Sequence, residues 1–472
     1  MKLTRAFRIR HRDVVALVGG GGKSSTLMRL AAELADEGRR VVTMTTTNIA
    51  RYEIENMVCY KLPPGGVPLD GLEDLLARHF HVMVVGSHAG TPGFTSMGVT
   101  MEEAVRVSSL SFVDNTVIEA DGARMLPFKA PAGHEPAVPP TTTLLVPVVG
   151  LDIVGRPLTA EFVHRPELVA QLSGAGLHTD VTAEVMASVL AHPQGGLKGA
   201  PAGARVVPLI NKTDCGRSAG HGASLALARD MADRLLTNPR IDCVVLGSLE
   251  PASRTGEVPL VLSSEPVLEV RTRVAAVILA AGAASRYGQL KQLLPWEEGT
   301  LLSQVVDTAL ASKARPVVVV LGNQARECQQ ALGDRQVEVE VNSLWAQGQS
   351  TSVQAGLAVL PDTVSAAFFP LADSPMLTTA TMDALIERYW RTFAPVVWPE
   401  HHGKRGNPVL FDRALFSQLN QLTEDSGGRS VLKSYLDQAE RVSVPDAGIL
   451  KDIDTPQDYA TYRQPTSGSN RP

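Results

Sequence analysis

Cysteine is scarce: four in 472 residues, Cys59, Cys215, Cys243 and Cys328, scattered without the spacing of a metal site. That usage fits a reducing compartment, the cytoplasm, with the thiols in the core or inert. Long apolar runs are missing as well. No stretch approaches the roughly 20 residues a membrane helix needs. No excess of positive charge is present, since 44 Lys and Arg stand against 49 Asp and Glu for a net charge of −5. General affinity for nucleic acid or anionic membranes is therefore not expected. The basic start, Lys2, Arg5, Arg8, Arg10 and Arg12 before Val14–Val18, imitates a secretory signal. Its apolar run is too short, and it ends in glycines and a lysine instead of a cleavage site. Internal repeats are absent too. What remains is a soluble globular chain too long for one core, so two domains or more are expected.

Strand and helix patterns alternate from Val14 to about Leu249. Val14–Val18 reads as a strand and Ser25–Glu37 as a helix with Leu27, Leu30, Ala31 and Leu34 on one face. Further strands are expected at Val41–Thr45, His81–Val85, Thr116–Glu119, Thr143–Val149, Val206–Ile210 and Cys243–Leu246. Short β-rich runs separated by helices argue for a parallel sheet covered on both faces. Pro63–Pro68, Pro127–Pro140 and His192–Gly203 read as long loops of the kind that carry function. Glu250–Thr272 reads as a connection, with a short strand at Pro259–Leu262. A second α/β series follows at Val274–Leu279, Pro316–Leu321, Val337–Val341, Ala366–Phe369 and Pro395–Trp398. The expected division is 1–250, a linker 251–273, a second domain 274–463 and a disordered tail 464–472.

The segment most informative about chemistry opens the second series. After the strand Val274–Leu279 comes Leu279-Ala280-Ala281-Gly282, then Arg286 and Lys291. A glycine-bearing turn offers backbone N–H groups, and two cations five residues apart can take up the charge of a triphosphate. Asp373 follows the strand Ala366–Phe369, at the strand end where α/β sheets bind ligands. Asp454 supplies a second carboxylate, and two carboxylates can hold Mg²⁺ against a triphosphate. Asn342 to Ser352, with Gly348, Ser350 and Ser352, forms a polar loop before a helix that can fix base, ribose or phosphate.

These residues resemble the MobA-like nucleotidyltransferases, and more closely the molybdenum cofactor cytidylyltransferases of the MocA type. Leu279–Gly282, Arg286, Gly288, Lys291, Gly348, Ser352, Ala372-Asp373, Pro375, Gly406-Asn407-Pro408 and Asp452–Pro456 match the family pattern in order. Ala284 stands where that pattern has Ser, and Tyr287 where it has Met. Guanylyl-transferring relatives carry Gly at the position of Ala281, so the resemblance implies CTP over GTP. It also implies a reaction. The terminal phosphate of the molybdopterin cofactor attacks the α-phosphorus of CTP, and pyrophosphate leaves. Arg286, Lys291 and Asp373 are the expected catalytic residues, with Asp373 and Asp454 on Mg²⁺. Gly406 and Pro408 are expected at the substrate. Arg405 and Arg429 are candidates for the pterin phosphate against a plainer reading as solvated side chains.

The first series carries its own phosphate signal. Gly19-Gly-Gly-Gly22-Lys23-Ser24-Ser25 lies between a strand and a helix. Its amides suit a β-phosphate, Lys23 suits the β and γ oxygens, and Ser24 suits Mg²⁺. The first glycine of a full Walker A falls on Leu17; the shorter form resembles the loop of the Mur ligases. Glu119 and Asp121 end a strand as a Walker B segment does, with Asp121 a metal candidate beside Ser24. Asn211-Lys212-Thr213-Asp214 ends another strand and has the form that reads guanine, so GTP or ATP is expected here. Thr45-Thr46-Thr47 is a further γ-phosphate or Mg²⁺ candidate. With Glu119–Arg124, Lys129–Pro131 and His134-Glu135-Pro136, this half resembles the YqeC family, described as accessory to selenium-dependent molybdenum hydroxylases. His134 reads more simply as an exposed loop histidine.

The resemblances imply an α/β fold in two domains, a P-loop NTPase-like parallel sheet followed by a Rossmann-like, GT-A-like nucleotidyltransferase sheet. They imply small-molecule substrates and a xanthine dehydrogenase-like molybdenum hydroxylase as recipient, with its chaperone. No nucleic acid and no membrane partner is expected. Two rivals stand beside this reading: a guanylyl or other nucleotidyl transferase of the same fold, and a non-catalytic carrier that inserts the cofactor.

Overall fold

A computed structural model describes residues 1–47, 57–63, 69–86, 98–214, 220–249, 265–282, 290–423 and 428–463. The chain divides into two compact units, Met1–Arg271 and Thr272–Pro472. Among the described residues no helix is long and apolar enough to cross a membrane.

In the first unit the main strands are β1 (Val14–Gly19), β2 (Val41–Thr45), β3 (Cys59–Lys61), β4 (His81–Val85), β5 (Asn115–Glu119), β6 (Leu144–Gly150), β7 (Leu209–Asn211) and β8 (Cys243–Gly247). They pair in the order β3-β4-β2-β5-β1-β6-β7-β8, every pairing parallel. Valine- and leucine-rich strands of this kind are buried on both faces, as a parallel sheet requires. One buried cluster gathers Leu145, Val149, Met186 and Met231, another Val42, Met44, Leu76 and Ile118. The helix after β1 runs Lys23–Asp36 and buries Leu27, Leu30, Ala31 and Leu34, the face its periodicity predicts. The expected strand Val206–Ile210 is broken into Arg205–Val206 and Leu209–Asn211. Pro208 lies in the gap and has no N–H to give the ladder; its carbonyl still accepts from Val245 N–H at 2.9 Å.

The second unit uses β9 (Val267–Ala280), β10 (Val317–Leu321), β11 (Glu338–Val341), β12 (Val364–Phe368), β13 (Val396–His401), β14 (Leu410–Asp412) and β15 (Glu440–Ser443). Their order is β11-β10-β9-β12-β14-β13-β15, and only β14 runs antiparallel to its neighbours. β9 begins at Val267 rather than Val274; its first residues, Val267–Arg271, belong to the first unit and mix apolar with charged side chains, with Val267 and Val270 buried. From β9 the chain goes to β10 on one side, and β12 is added on the other. That reversal opens a crevice at the strand carboxyl ends, where such sheets bind ligands. The helix Gln349–Ala358 closes against this sheet at Gly356. A Cβ there would lie 2.3 Å from Val277 Cγ1 and 3.0 Å from Val320 Cγ2.

Candidate functional site

The crevice of the second unit is closed by short backbone ties. Leu279 N–H donates to Pro370 O at 2.9 Å, and Ala372 N–H donates to Leu279 O at 3.1 Å. The turn Leu279–Gly282 and the acid Asp373 are thereby held side by side, at the ends of β9 and β12. Lys291 enters from the next segment. Its ammonium pairs with Asp373, donates to Asp454 Oδ1 at 3.0 Å and reaches Ile453 O at 3.2 Å. Burial alone would lower its pKa, but the charges of Asp373 and Asp454 override that and raise it. Ile453 N–H also donates to Asp373 O at 2.9 Å, fixing the second acid segment against the first. Asp452, between them, accepts from Ser374 Oγ at 2.7 Å. Burial pushes its pKa up; the Ser374 bond opposes this, and the negative charges of Asp373 and Asp454 add to it.

Two carboxylates therefore hold one lysine, and Asp452 lies close enough to feel the charge of all three. Asp373 Oδ1 is buried and among the described residues has no hydrogen-bond partner, an arrangement that costs free energy until a donor or cation arrives. Among the described residues no three metal-capable side chains converge. The donor set suits a cation that takes one or two carboxylates and completes its shell with phosphate oxygens and water, as Mg²⁺ does.

The polar loop after β11 is ordered by Asn342. Its Nδ2 donates to Thr351 Oγ1 at 2.8 Å and to Ser352 Oγ at 3.0 Å, while its Oδ1 accepts from Leu344 N–H at 2.9 Å. Ser350 and Ser352 are buried on the first turn of the helix that Gly348 opens. Gly406 and Pro408 lie in the β13–β14 connection, where Gly406 packs on the Ile449 side chain and Asn407 N–H donates to Ile449 O at 3.0 Å. Arg405 and Arg429 are exposed. Arg286, with Ala284, Tyr287 and Gly288, lies outside the described residues. Asn342 and Gln292 went unassigned in the sequence. Gln292 is buried, and its Nε2 donates to Gly282 O at 2.9 Å, bracing the turn Leu279–Gly282. A polar residue directly after a strand was the available signal for Asn342; Gln292 offers none.

In the first unit, the loop Gly19–Gly22 threads between neighbouring backbones. At Gly21, with φ +77°, a Cβ would come within 2.1 Å of Gly150 N, so only glycine fits. Lys23 starts the following helix and turns back under the loop. Its ammonium donates to Gly19 O at 2.7 Å and lies 3.4 Å from Glu119 Oε1 and 3.3 Å from Asp121 Oδ1. Burial would lower its pKa; the two acids override that and raise it. Asp121 is buried and also accepts from Gly19 N–H, at 3.0 Å to Oδ2. A second buried ammonium, Lys129, sits 3.0 Å from that same Oδ2. Lys129 continues to Glu135 at 2.7 Å, and Arg165 closes the chain on Glu135 at 2.6 Å and 3.1 Å. Lys129 and Glu135 were visible as motif members but carried no role, and Arg165 was not singled out. Their partners come from separate loops that local spacing does not connect.

Ser24 Oγ donates to Glu119 Oε2 at 3.0 Å, and Ser25 is half-buried on the same first turn. Thr45 Oγ1 and Thr46 N–H both donate to Glu119 O, at 3.1 Å and 3.0 Å. Asn211 is buried and ties two loops together: its Nδ2 donates to Gly21 O at 2.9 Å, and its Oδ1 accepts from Leu249 N–H at 2.8 Å. Lys212 pairs with Asp152 at 2.7 Å, and Asp214 accepts from Ser248 Oγ. The structure thus places the phosphate-type loop, the two acids and Asn211 in one neighbourhood. The His134 side chain is 79% exposed.

Comparison with known proteins divides along the same lines. The family model described as YqeC protein matches residues 15–167, and that of the MobA-like NTP transferase domain matches residues 276–441. An uncharacterised protein YqeC of Escherichia coli (strain K12) is 33% identical over 201 residues, 42% of this chain and 75% of that protein. The molybdenum cofactor cytidylyltransferase of the same organism is 30% identical over 189 residues, 40% of this chain and 94% of that protein. A nicotine blue oxidoreductase of Paenarthrobacter nicotinovorans is 28% identical over 194 residues, 39% of this chain and 92% of that protein. With both halves matched separately and in order, the chain belongs to the YqeC family through its first half and to the MobA-like NTP transferases through its second.

Proposed function

We propose that the second half transfers the cytidylyl group of CTP to the terminal phosphate of the molybdopterin cofactor, releasing pyrophosphate. We infer that the first half binds a purine nucleoside triphosphate, and that the chain serves the maturation of molybdenum hydroxylases. The observation that carries the transfer reading is Lys291 held between Asp373 and Asp454 at the strand ends, with Asp373 Oδ1 buried and unsatisfied. In-line attack by a cofactor phosphate oxygen on the CTP α-phosphorus forms one P–O bond and breaks the α–β bridge. The pyrophosphate oxygen takes the electron pair. No covalent enzyme intermediate is needed, so the work is positioning and charge neutralisation. Lys291 leaves its carboxylates for the triphosphate and steadies the leaving pyrophosphate, with Arg286 as its partner from the turn. The amides at Ala281 and Gly282 receive phosphate oxygens. Asp373 and Asp454, freed of Lys291, would hold Mg²⁺, which when bound offsets triphosphate charge and polarises the phosphoryl group. Gly348, Ser350 and Ser352 contribute the helix N-terminus toward the nucleotide, and Gly406 and Pro408 the opposite rim. In the first half Gly19, Gly22, Lys23, Ser24 and Ser25 would take the phosphates, Ser24 and Asp121 would hold Mg²⁺, and Asn211, Lys212 and Asp214 would read the purine.

Ala281 supports CTP over GTP, on the family contrast stated above. Pyrophosphate release with each of the four nucleoside triphosphates and purified molybdopterin cofactor tests the reading. Release with CTP alone is expected. Release with GTP alone would make the chain a guanylyltransferase. No release, together with co-purification of an apo-hydroxylase, would make it a carrier.

A further inference from the structure

Gly322, directly after β10, separates two residues that nearly touch. A Cβ on it would lie 2.6 Å from Trp345 Cβ, 2.7 Å from Ala281 Cβ and 2.8 Å from Ala281 O. The missing side chain is what lets Trp345 and Ala281 approach. Asn323 N–H donates to Ala281 O at 3.1 Å, which pins the end of β10 to the phosphate turn. Trp345 opens the short turn Trp345–Gln347, and Gly348 N–H donates to its carbonyl at 3.3 Å. Trp345 is therefore placed among the strand carboxyl ends, between the phosphate turn and the helix that starts at Gly348.

The fold does not use this indole. Trp390 Nε1 donates to Thr272 O at 3.0 Å, Trp398 is buried under Arg441, and Trp296 is buried against Tyr459. Trp345 is only half-buried, and among the described residues its ring has no aromatic or cationic partner and its Nε1–H no acceptor. Its neighbours Val341 and Leu344 are each 52% exposed. A large flat side chain held at a ligand crevice without a partner of its own is suited to a flat ligand.

We propose that Trp345 is one wall of the base subsite and stacks on the heterocycle of the bound nucleoside triphosphate, with Ala281 at the edge of that ring. The proposal rests on the nucleotidyl-transfer reading. Stacking accepts any base, because every base has a π-face. Trp345 therefore sets how tightly a nucleotide binds, and the atoms around Ala281 set which one.

The test uses the full chain with Mg²⁺ and each nucleoside triphosphate. Nucleotide titration should change the tryptophan fluorescence of the wild type, and W345F should lose that change. W345A should raise KM for the nucleotide by roughly 5- to 100-fold, equally for all accepted nucleotides, with kcat within about twofold. W345F should keep KM within about threefold of wild type, because a phenyl ring also stacks. Three results overturn the proposal: an unchanged KM in W345A, a fluorescence change that survives in W345F, or a collapse of kcat that W345F does not rescue. The parent reading fails separately. A nucleotide other than CTP that gives the full Trp345 signature keeps the stacking wall and removes the cytidylyl assignment.

Discussion

Glu135 allows the buried charge chain of the first unit to be tested quantitatively. Burial alone would push its carboxyl up, but hydrogen bonds from Arg165 and Lys129, and their charges, bring it from 4.5 down to about 2. The folded value lies below the unfolded one. Its stabilisation is therefore complete above about pH 4.5 and is lost as pH falls through about 2. A shift of that size corresponds to at most about 3 kcal/mol at neutral pH. Water reaches part of the carboxylate and screens it, so about 1–2 kcal/mol is the working figure. Glu135→Gln should then lower the melting transition of the first unit by roughly 2–8 °C near neutral pH. Calorimetry of the full chain, wild type against variant, should show that gap narrowing as pH drops from about 4.5 toward 2. His134→Ala is the neutral-pH control, since its side chain is 79% exposed and 3.9 Å from Glu135, and it should leave the transition unmoved there. An E135Q transition unchanged at neutral pH, or a gap that persists undiminished in acid, refutes the reasoning.

Asp373→Ala should abolish pyrophosphate release from CTP while GTP binding to the first half persists; transfer at wild-type rate would remove Asp373 from the site. Lys23→Ala should cost the first half its triphosphate affinity, read with a fluorescent GTP analogue in the full chain, and leave cytidylyl transfer untouched. Unchanged affinity would reduce Gly19–Gly22 to a turn. Gly356→Ala should destabilise the second unit by about 1–3 kcal/mol in urea unfolding, because the new Cβ meets Val277 at 2.3 Å; an unchanged midpoint would show that the helix shifts freely.

The parts of this protein legible in its sequence are those whose signal is local. The helix after β1 could be read because Leu27, Leu30, Ala31 and Leu34 recur at helical spacing, and those four are buried. The α/β class followed from strands alternating with helices. Where a strand was misjudged, a residue in plain sight explains it: Pro208 breaks the run expected as Val206–Ile210. Contacts between distant segments left no such trace. Lys129 and Arg165 share Glu135 from either side of a long loop, and Trp345 and Ala281 both close on Gly322, which has no side chain to keep them off. Nothing in the spacing of those residues predicts the meeting.

The two lysines proposed for phosphates share one arrangement. Lys23 is buried and lies on Glu119 and Asp121; Lys291, whose side chain is 16% exposed, lies on Asp373 and Asp454. An ammonium withdrawn from water to that degree needs a counter-charge, and in each site two carboxylates supply it. Each pair also sets a condition on what can displace it. A bare triphosphate would bring more negative charge to a site already rich in it, so the lysine gains little by moving. A triphosphate accompanied by a divalent cation offers a full exchange, carboxylates to the cation and ammonium to the phosphates. In the first site the exchange leaves Asp121 compensated, because Lys129 and the Gly19 N–H remain on it. In the second it would satisfy Asp373 Oδ1, a buried atom without a partner among the described residues. On the proposed function, the carboxylates that hold each lysine in place would, by the same charge, favour the metal-bound form of the nucleotide over the free one.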